Sequence, residues 1–158
     1  MSLKVNLRHL EKRDLELAGE LSPAELDLNT RDKMIRATQP LHYDLEVEML
    51  DDSLLVQGSL QMMLDCQCVR CLKDFKFELE MNPWTLHLPL KPLDDEEAAP
   101  IKNDCVDLTP WVREDILLEF PQHPVCKPEC AGIKPKAQKI AGEKPKPDVW
   151  AKLNKLKL

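Results

Sequence analysis

Residues 41–64 read L-H-Y-D-L-E-V-E-M-L-D-D-S-L-L-V-Q-G-S-L-Q-M-M-L. Leu41, Tyr43, Leu45, Val47 and Met49 alternate with His42, Asp44, Glu46 and Glu48. A period of two places one set on the core face of a strand and the other in water. Asp51-Asp52-Ser53 has the short polar side chains of a turn. Beyond it, Val56, Gly58, Leu60, Met62 and Leu64 share one face, with Gln57, Ser59, Gln61 and Met63 opposite. Two strands joined by a tight turn predict an antiparallel hairpin.

The alternation continues outward. Lys73-Asp74 is expected to turn the chain. Phe75, Phe77, Leu79 and Met81 then alternate with Lys76, Glu78 and Glu80. After Pro83 the period resumes at Trp84, Leu86, Leu88 and Leu90, which reads as a separate strand. About four consecutive strands form a meander or partial barrel. Leu3, Val5 and Leu7 predict one more, half-buried strand. Residues 11–40 show no clear period, although Ser22-Pro23-Ala24-Glu25 carries the cap, proline and glutamate that open a short helix. Pro92–Pro100, with Asp94-Asp95-Glu96-Glu97, reads as a solvated loop.

Thr109-Pro110 is a helix start, with Thr109 as the capping acceptor and Pro110 in the first turn. Val112, Ile116 and Phe120 form one stripe, and Pro121 stops the helix. Near the end, Val149, Leu153 and Leu156 have helical spacing behind Asp148, and such a short helix needs a surface to dock on. The prediction is therefore an α+β fold. It has a central antiparallel sheet or partial barrel, one main helix at 109–120 and a short C-terminal helix. Residues 1–126 make an acidic β-rich domain. Residues 127–158 make a Pro- and Lys-rich basic tail ending in that short helix.

Charge supports this division. Residues 127–158 hold nine lysines and three acids, a balance of +6; the chain total of −6 leaves −12 on residues 1–126. An acidic body is repelled by phosphate, so a general DNA-binding role is not expected, while the basic tail suits RNA or an acidic protein patch. Three Trp, one Tyr and three Phe are few for a base-stacking platform. No apolar run reaches 18 residues, and Met1–Asn6 lacks the apolar core of a signal peptide, so a cytoplasmic protein with no membrane role is expected. No Walker, G-x-G-x-x-G or H-E-x-x-H motif occurs, and nothing argues for an enzyme.

Six cysteines remain to be placed. In a reducing compartment they are metal ligands or free thiols rather than a disulfide framework. Cys68 and Cys71 form a C-x-x-C pair, and Cys126 and Cys130 a C-x3-C pair. Together they could hold a structural zinc ion in a tetrahedron of sulfur. Against this, period-two geometry sends Cys66 and Cys68 to the same face, so not every thiol of the first cluster can join one site without a bend. The alternatives are no cofactor, with cysteines packed as small hydrophobes, or a redox pair. Redox catalysis is disfavoured, because the pair precedes a strand rather than opening a helix. Arg70 lies between thiols, where it pairs with a carboxylate such as Asp74 or reaches a phosphate.

These motifs also stand in a recognisable order. G-x-L-x-x-x-L at 58–64 precedes C-V-R-C-L at 68–72. Asp107-Leu108, Arg113-Glu114 and Ile116-Leu117-Leu118 follow, then Pro121, Pro124, Cys126 and Cys130-Ala131-Gly132-Ile133. Pro147-Asp148-Val149-Trp150-Ala151 and Leu153 close the series. From about residue 45 onward the chain resembles the YceD family of large ribosomal RNA subunit accumulation proteins. The resemblance implies a non-enzymatic factor in large-subunit RNA accumulation or ribosome assembly. Its partners would be large-subunit ribosomal RNA or a pre-ribosomal particle, with a large-subunit ribosomal protein as a further candidate. Many such proteins carry two more cysteines after the second pair, where this chain has Lys134 and Ala137. The alternative function is a zinc-binding protein-interaction module. Residues expected to contact RNA or a partner are Arg70, Lys134, Lys136, Lys139, Lys144, Lys146 and Trp150.

Overall fold

A computed structural model describes residues 3–29, 32–92 and 98–134. In chain order the elements are β1 (Lys4–Asn6), α1 (Leu7–Leu10), β2 (Leu15–Leu21), β3 (Ile35–Arg36) and β4 (Leu41–Leu50). They continue with β5 (Ser53–Gln67), β6 (Asp74–Pro89), β7 (Ile101–Lys102), β8 (Cys105–Asp107) and α2 (Thr109–Leu118).

The 41–64 stretch does form the predicted hairpin. β4 pairs antiparallel with β5 from Leu50↔Ser53 to His42↔Gln61. Asp51 takes the left-handed backbone of the tight turn, φ 50°. Every second residue of β5 is buried, at Leu54, Val56, Leu60, Met62, Leu64 and Cys66. Gly58 interrupts that series because β4 passes too close: a Cβ there would lie 2.0 Å from the Asp44 carbonyl oxygen.

Two predicted strands prove to be one. β6 runs unbroken against β5, from Gln67↔Asp74 to Ser53↔Pro89. The register shifts between Gly58 and Leu60, where Asn82 and Pro83 together oppose the single residue Ser59. This bulge carries the core face from odd positions (Leu79) to even ones (Trp84, Leu88). Pro83 has no N–H to donate and is tolerated at a bulge.

The expected α+β class is not what the chain adopts. Of the described residues 46% are strand and 11% helical, in two sheets with a curled half-barrel, so the fold is mostly β. One sheet has the order β2-β4-β5-β3 with β6 on β5, and the other β1-β8-β7. Part of the difference is β2, paired along its length with β4, where Ala18 and Gly19 interrupt the alternation of Leu15, Leu17 and Leu21 with Glu16 and Glu20. The helix expected at Ser22 also forms only consecutive turns. Its capping box closes, Ser22 N–H to Glu25 Oε2 at 2.9 Å and Glu25 N–H to Ser22 Oγ at 3.3 Å. The chain then leaves helical geometry at Asp27, φ 49°.

The main helix is present but shorter, ending at Leu118. Val112 and Ile116 are buried as the stripe requires. Thr109 is its first residue rather than its cap; the Thr109 hydroxyl instead accepts the Leu3 N–H at 3.0 Å, tying β1 to α2. The Trp84 indole N–H donates to Asp115 at 2.8 Å and joins α2 to β6. The C-terminal helix expected at 148–156 and the acidic run 94–97 lie outside the described residues.

The close approach at Gly58 yields a test. Gly58→Ala should cost about 3 kcal/mol or more in urea unfolding, comparable to the roughly 2–5 kcal/mol expected for Leu60→Ala in the core. A Gly58→Ala midpoint indistinguishable from the parent would contradict the β4–β5 register.

Candidate metal centre

β5 ends at Gln67, one residue before Cys68. Leaving the strand frees the next thiols from period-two geometry, and this resolves the clash of directions expected from sequence. Cys66 stays in the core, whereas Cys68 opens a tight corner. The Cys68 N–H donates to the Lys73 carbonyl and the Leu72 N–H to the Cys68 carbonyl, both at 2.9 Å. Gln67 Nε2 secures the Leu72 carbonyl at 3.0 Å. Leu72 is held at φ 61°. A non-glycine residue in that region carries strain on the order of 1–3 kcal/mol.

Residues 124–132 lie against this corner. The Val69 N–H donates to the Pro124 carbonyl at 2.9 Å. The Arg70 guanidinium donates from one nitrogen to the carbonyls of Cys130 (3.2 Å) and Pro128 (3.4 Å). Gly132, at φ 80°, brings its backbone so close that a Cβ would lie 3.3 Å from the Arg70 carbonyl. The Cys130 N–H closes the second corner on the Lys127 carbonyl at 3.1 Å. These contacts bring two pairs separated by more than fifty residues onto one point.

The sulfurs of Cys68, Cys71, Cys126 and Cys130 all lie within 4.8 Å of one another. Cys68–Cys130 and Cys71–Cys126 are each 3.7 Å apart. A tetrahedral tetrathiolate site with metal–sulfur bonds of about 2.3 Å has edges of about 3.8 Å. Two edges of the cluster have that length, and the donor set suits a soft divalent metal. Burial pushes the Cys68 thiol up, but backbone hydrogen bonds at Cys71, Cys126 and Arg70 outweigh it and bring it down to about 6. Burial, with the neighbouring thiols of Cys71, Cys130 and Cys68, pushes Cys126 up to about 12. Four crowded sulfurs thus favour negative charge at one of them and resist it at another, which a cation would relieve.

The remaining thiols stand apart. Cys66 is raised by burial and by Asp65 and Asp32. Cys105 is half-buried on β8, opposite Asn6 of β1. Arg70 does not pair with Asp74, whose nearest cation is Arg36 at 4.0 Å. Its guanidinium is engaged with carbonyls of the second corner. Lys134, four residues after Cys130, is exposed, and Lys136, Lys139, Lys144, Lys146 and Trp150 lie outside the described residues. The clamping role of Arg70 and the close packing of Gly132 were not read from sequence. A glycine two residues after a ligand cysteine was the available signal for the latter.

The family model for the large ribosomal RNA subunit accumulation protein YceD matches residues 56–157, which include all four cysteines. The chain belongs to the YceD family. It is 24% identical to the uncharacterised Bacillus subtilis protein YlbN over 127 residues, covering 78% of this chain and 72% of that one. An uncharacterised Mycobacterium bovis protein is 28% identical over 100 residues, 60% of this chain and 48% of that one. A Mycobacterium leprae relative is 25% identical over 99 residues, 60% of this chain and 46% of its own. The chain thus spans about half the length of the mycobacterial proteins that it matches. No solved structure shows significant similarity to it.

Cobalt(II) titration checks the ligand set. The parent, Cys66→Ser and Cys105→Ser should give the absorption of tetrahedral thiolate cobalt, and Cys68→Ser and Cys130→Ser should lose it. Retention of the full spectrum in Cys68→Ser would exclude this centre. Arg70→Lys keeps the charge but loses the planar fork. Competition with a chelator should show about 10- to 100-fold weaker metal binding in that variant; parental affinity would remove Arg70 from the centre's support.

Proposed function

We propose that this protein is a non-enzymatic factor in the accumulation of large-subunit ribosomal RNA, acting in the cytoplasm during ribosome assembly. The observation that carries this reading is the family match over residues 56–157. Its partner is large-subunit ribosomal RNA or a pre-ribosomal particle. The four cysteines hold a structural zinc ion. Zinc needs four sulfur or nitrogen donors and no open position in a structural site, and Cys68, Cys71, Cys126 and Cys130 complete such a set.

In this role the chain's chemistry is positional. Among the described residues the segment after Pro121 has little burial of its own, with Pro124 and Cys130 as its buried residues. Metal binding would supply the ordering free energy that apolar burial does not. The zinc-binding interaction module and the assembly factor are then one arrangement seen at two levels: zinc fixes the surface, and the surface meets the particle. No helix among the described residues is long and apolar enough to cross a membrane.

Depletion in cells, followed by quantifying both ribosomal RNAs, tests the assignment. Large-subunit RNA should fall relative to small-subunit RNA and recover on re-expression of the parent chain. An unchanged ratio would contradict it.

A further inference from the structure

The corner that carries the first two thiols breaks a local rule. A residue held at φ 61° is ordinarily glycine, yet position 72 is leucine. Its side chain gains no core packing there, since Leu72 is 48% exposed. Val69 is 38% and Ile133 62% exposed on the two clamped corners. Strain without a packing return, at a rigid exposed point, is the mark of a side chain kept for a partner.

The charges around these three residues identify the partner's chemistry. Lys73 follows Leu72, Lys127 follows Cys126 and Lys134 follows Ile133. Among the described residues none of these lysines has an ion-pair partner. Of the nearby acids, Asp74 faces Arg36 and Asp65 accepts from Thr38, and the exposed Glu129 on the second corner still leaves Lys73, Lys127 and Lys134 in excess. The acidic part of the body lies elsewhere, where Glu16 stands directly opposite Glu46, itself paired with Gln57. From Gln57 to Cys68 the chain advances on the order of 30 Å along β5 at about 3.3 Å per residue. That exceeds the Debye length of about 8 Å at physiological salt, so the acidic face does not cancel attraction at the metal end.

We propose that the metal-clamped double corner is itself an RNA-binding surface. Lys73, Lys127 and Lys134 contact phosphates, and Leu72, with Val69 and Ile133 beside it, packs against an unstacked base. Unpaired RNA suits this geometry because its bases can be splayed onto apolar side chains, which a duplex does not allow. The proposal rests on the assignment to ribosomal RNA and makes the folded corner, rather than the lysine tail, the principal contact.

The test uses the full metal-loaded chain and single-stranded oligouridylate, with affinity measured across a salt series. Lys73→Gln/Lys127→Gln/Lys134→Gln should weaken binding at least about tenfold and flatten the log–log salt slope by about 2, near 0.7 per lost phosphate on a single strand. Leu72→Gly relieves the backbone strain, so metal content and thermal stability should be kept while RNA binding weakens several-fold. A chain ending at residue 134 should keep most of the parental affinity. The proposal is overturned if either substituted protein binds RNA like the parent, if removal of residues 135–158 alone abolishes binding, or if the parent captures acidic peptides but no RNA. Failure here with a positive depletion result leaves the assembly role standing without this surface. Binding as described with a negative depletion result removes the assembly role instead.

Discussion

The pairing of β5 with β6 is the constraint on which the rest of the structure depends. Its register extends from Ser53↔Pro89 to Gln67↔Asp74. β4 and then β3 occupy the other side of β5, so two more strands take their position from it. Trp84 on β6 fixes the main helix through Asp115. The far end of the same ribbon delivers Cys68 and Cys71 to the corner before β6 begins. One long antiparallel ladder thereby sets both the core and the separation between the core and the cysteine cluster. A slip by one residue would turn every side chain of β5 over and carry the cysteines with it.

The bulge makes that ribbon workable. A strand of 16 residues with strict alternation would stay flat, and flat sheets close poorly around a core. Inserting Asn82-Pro83 opposite Ser59 bends β6 and moves the core face from Leu79 to Trp84 and Leu88. Gly58 lies at the same level, where the Asp44 backbone comes within reach of any Cβ. Bulge and close approach thus fall at one level of the sheet, where its smallest residue faces the neighbouring strand. A proline there also leaves no N–H on an outer edge to recruit another chain.

This explains which parts of the fold are legible in sequence. The hairpin at 41–64 is, because each residue there answers only to burial on one face. In β6 the apolar residues are legible, but a proline between two alternating runs suits a strand end as well as a bulge, and local pattern does not distinguish the two. β2 was missed because Ala18 and Gly19 dilute its apolar face on an edge with one neighbour. The threonine does not cap for a tertiary reason, since its hydroxyl is taken by the Leu3 N–H, just before β1. At the candidate site the four cysteines were identifiable by spacing. Their convergence was not, because it depends on β5 ending at Gln67 and on Arg70 reaching two carbonyls distant in sequence.

That convergence completes a set of four sulfurs without Lys134 or Ala137, the positions at which the family resemblance implies two further cysteines. Coordination number, not cysteine count, is the relevant limit: a tetrahedral ion takes four sulfurs and no more. With Cys68 and Cys71 drawn in by the ribbon, Cys126 and Cys130 need no third or fourth ligand from their own segment. A site made from two distant segments does something that a local knuckle does not, because it joins the end of the sheet to the chain that follows the helix. Closing so long a loop costs chain entropy that grows only slowly with length, so the metal bond energy can offset it. Position 134 is then free of any coordinating duty, and the exposed lysine there adds positive charge four residues beyond Cys130 without competing for the metal.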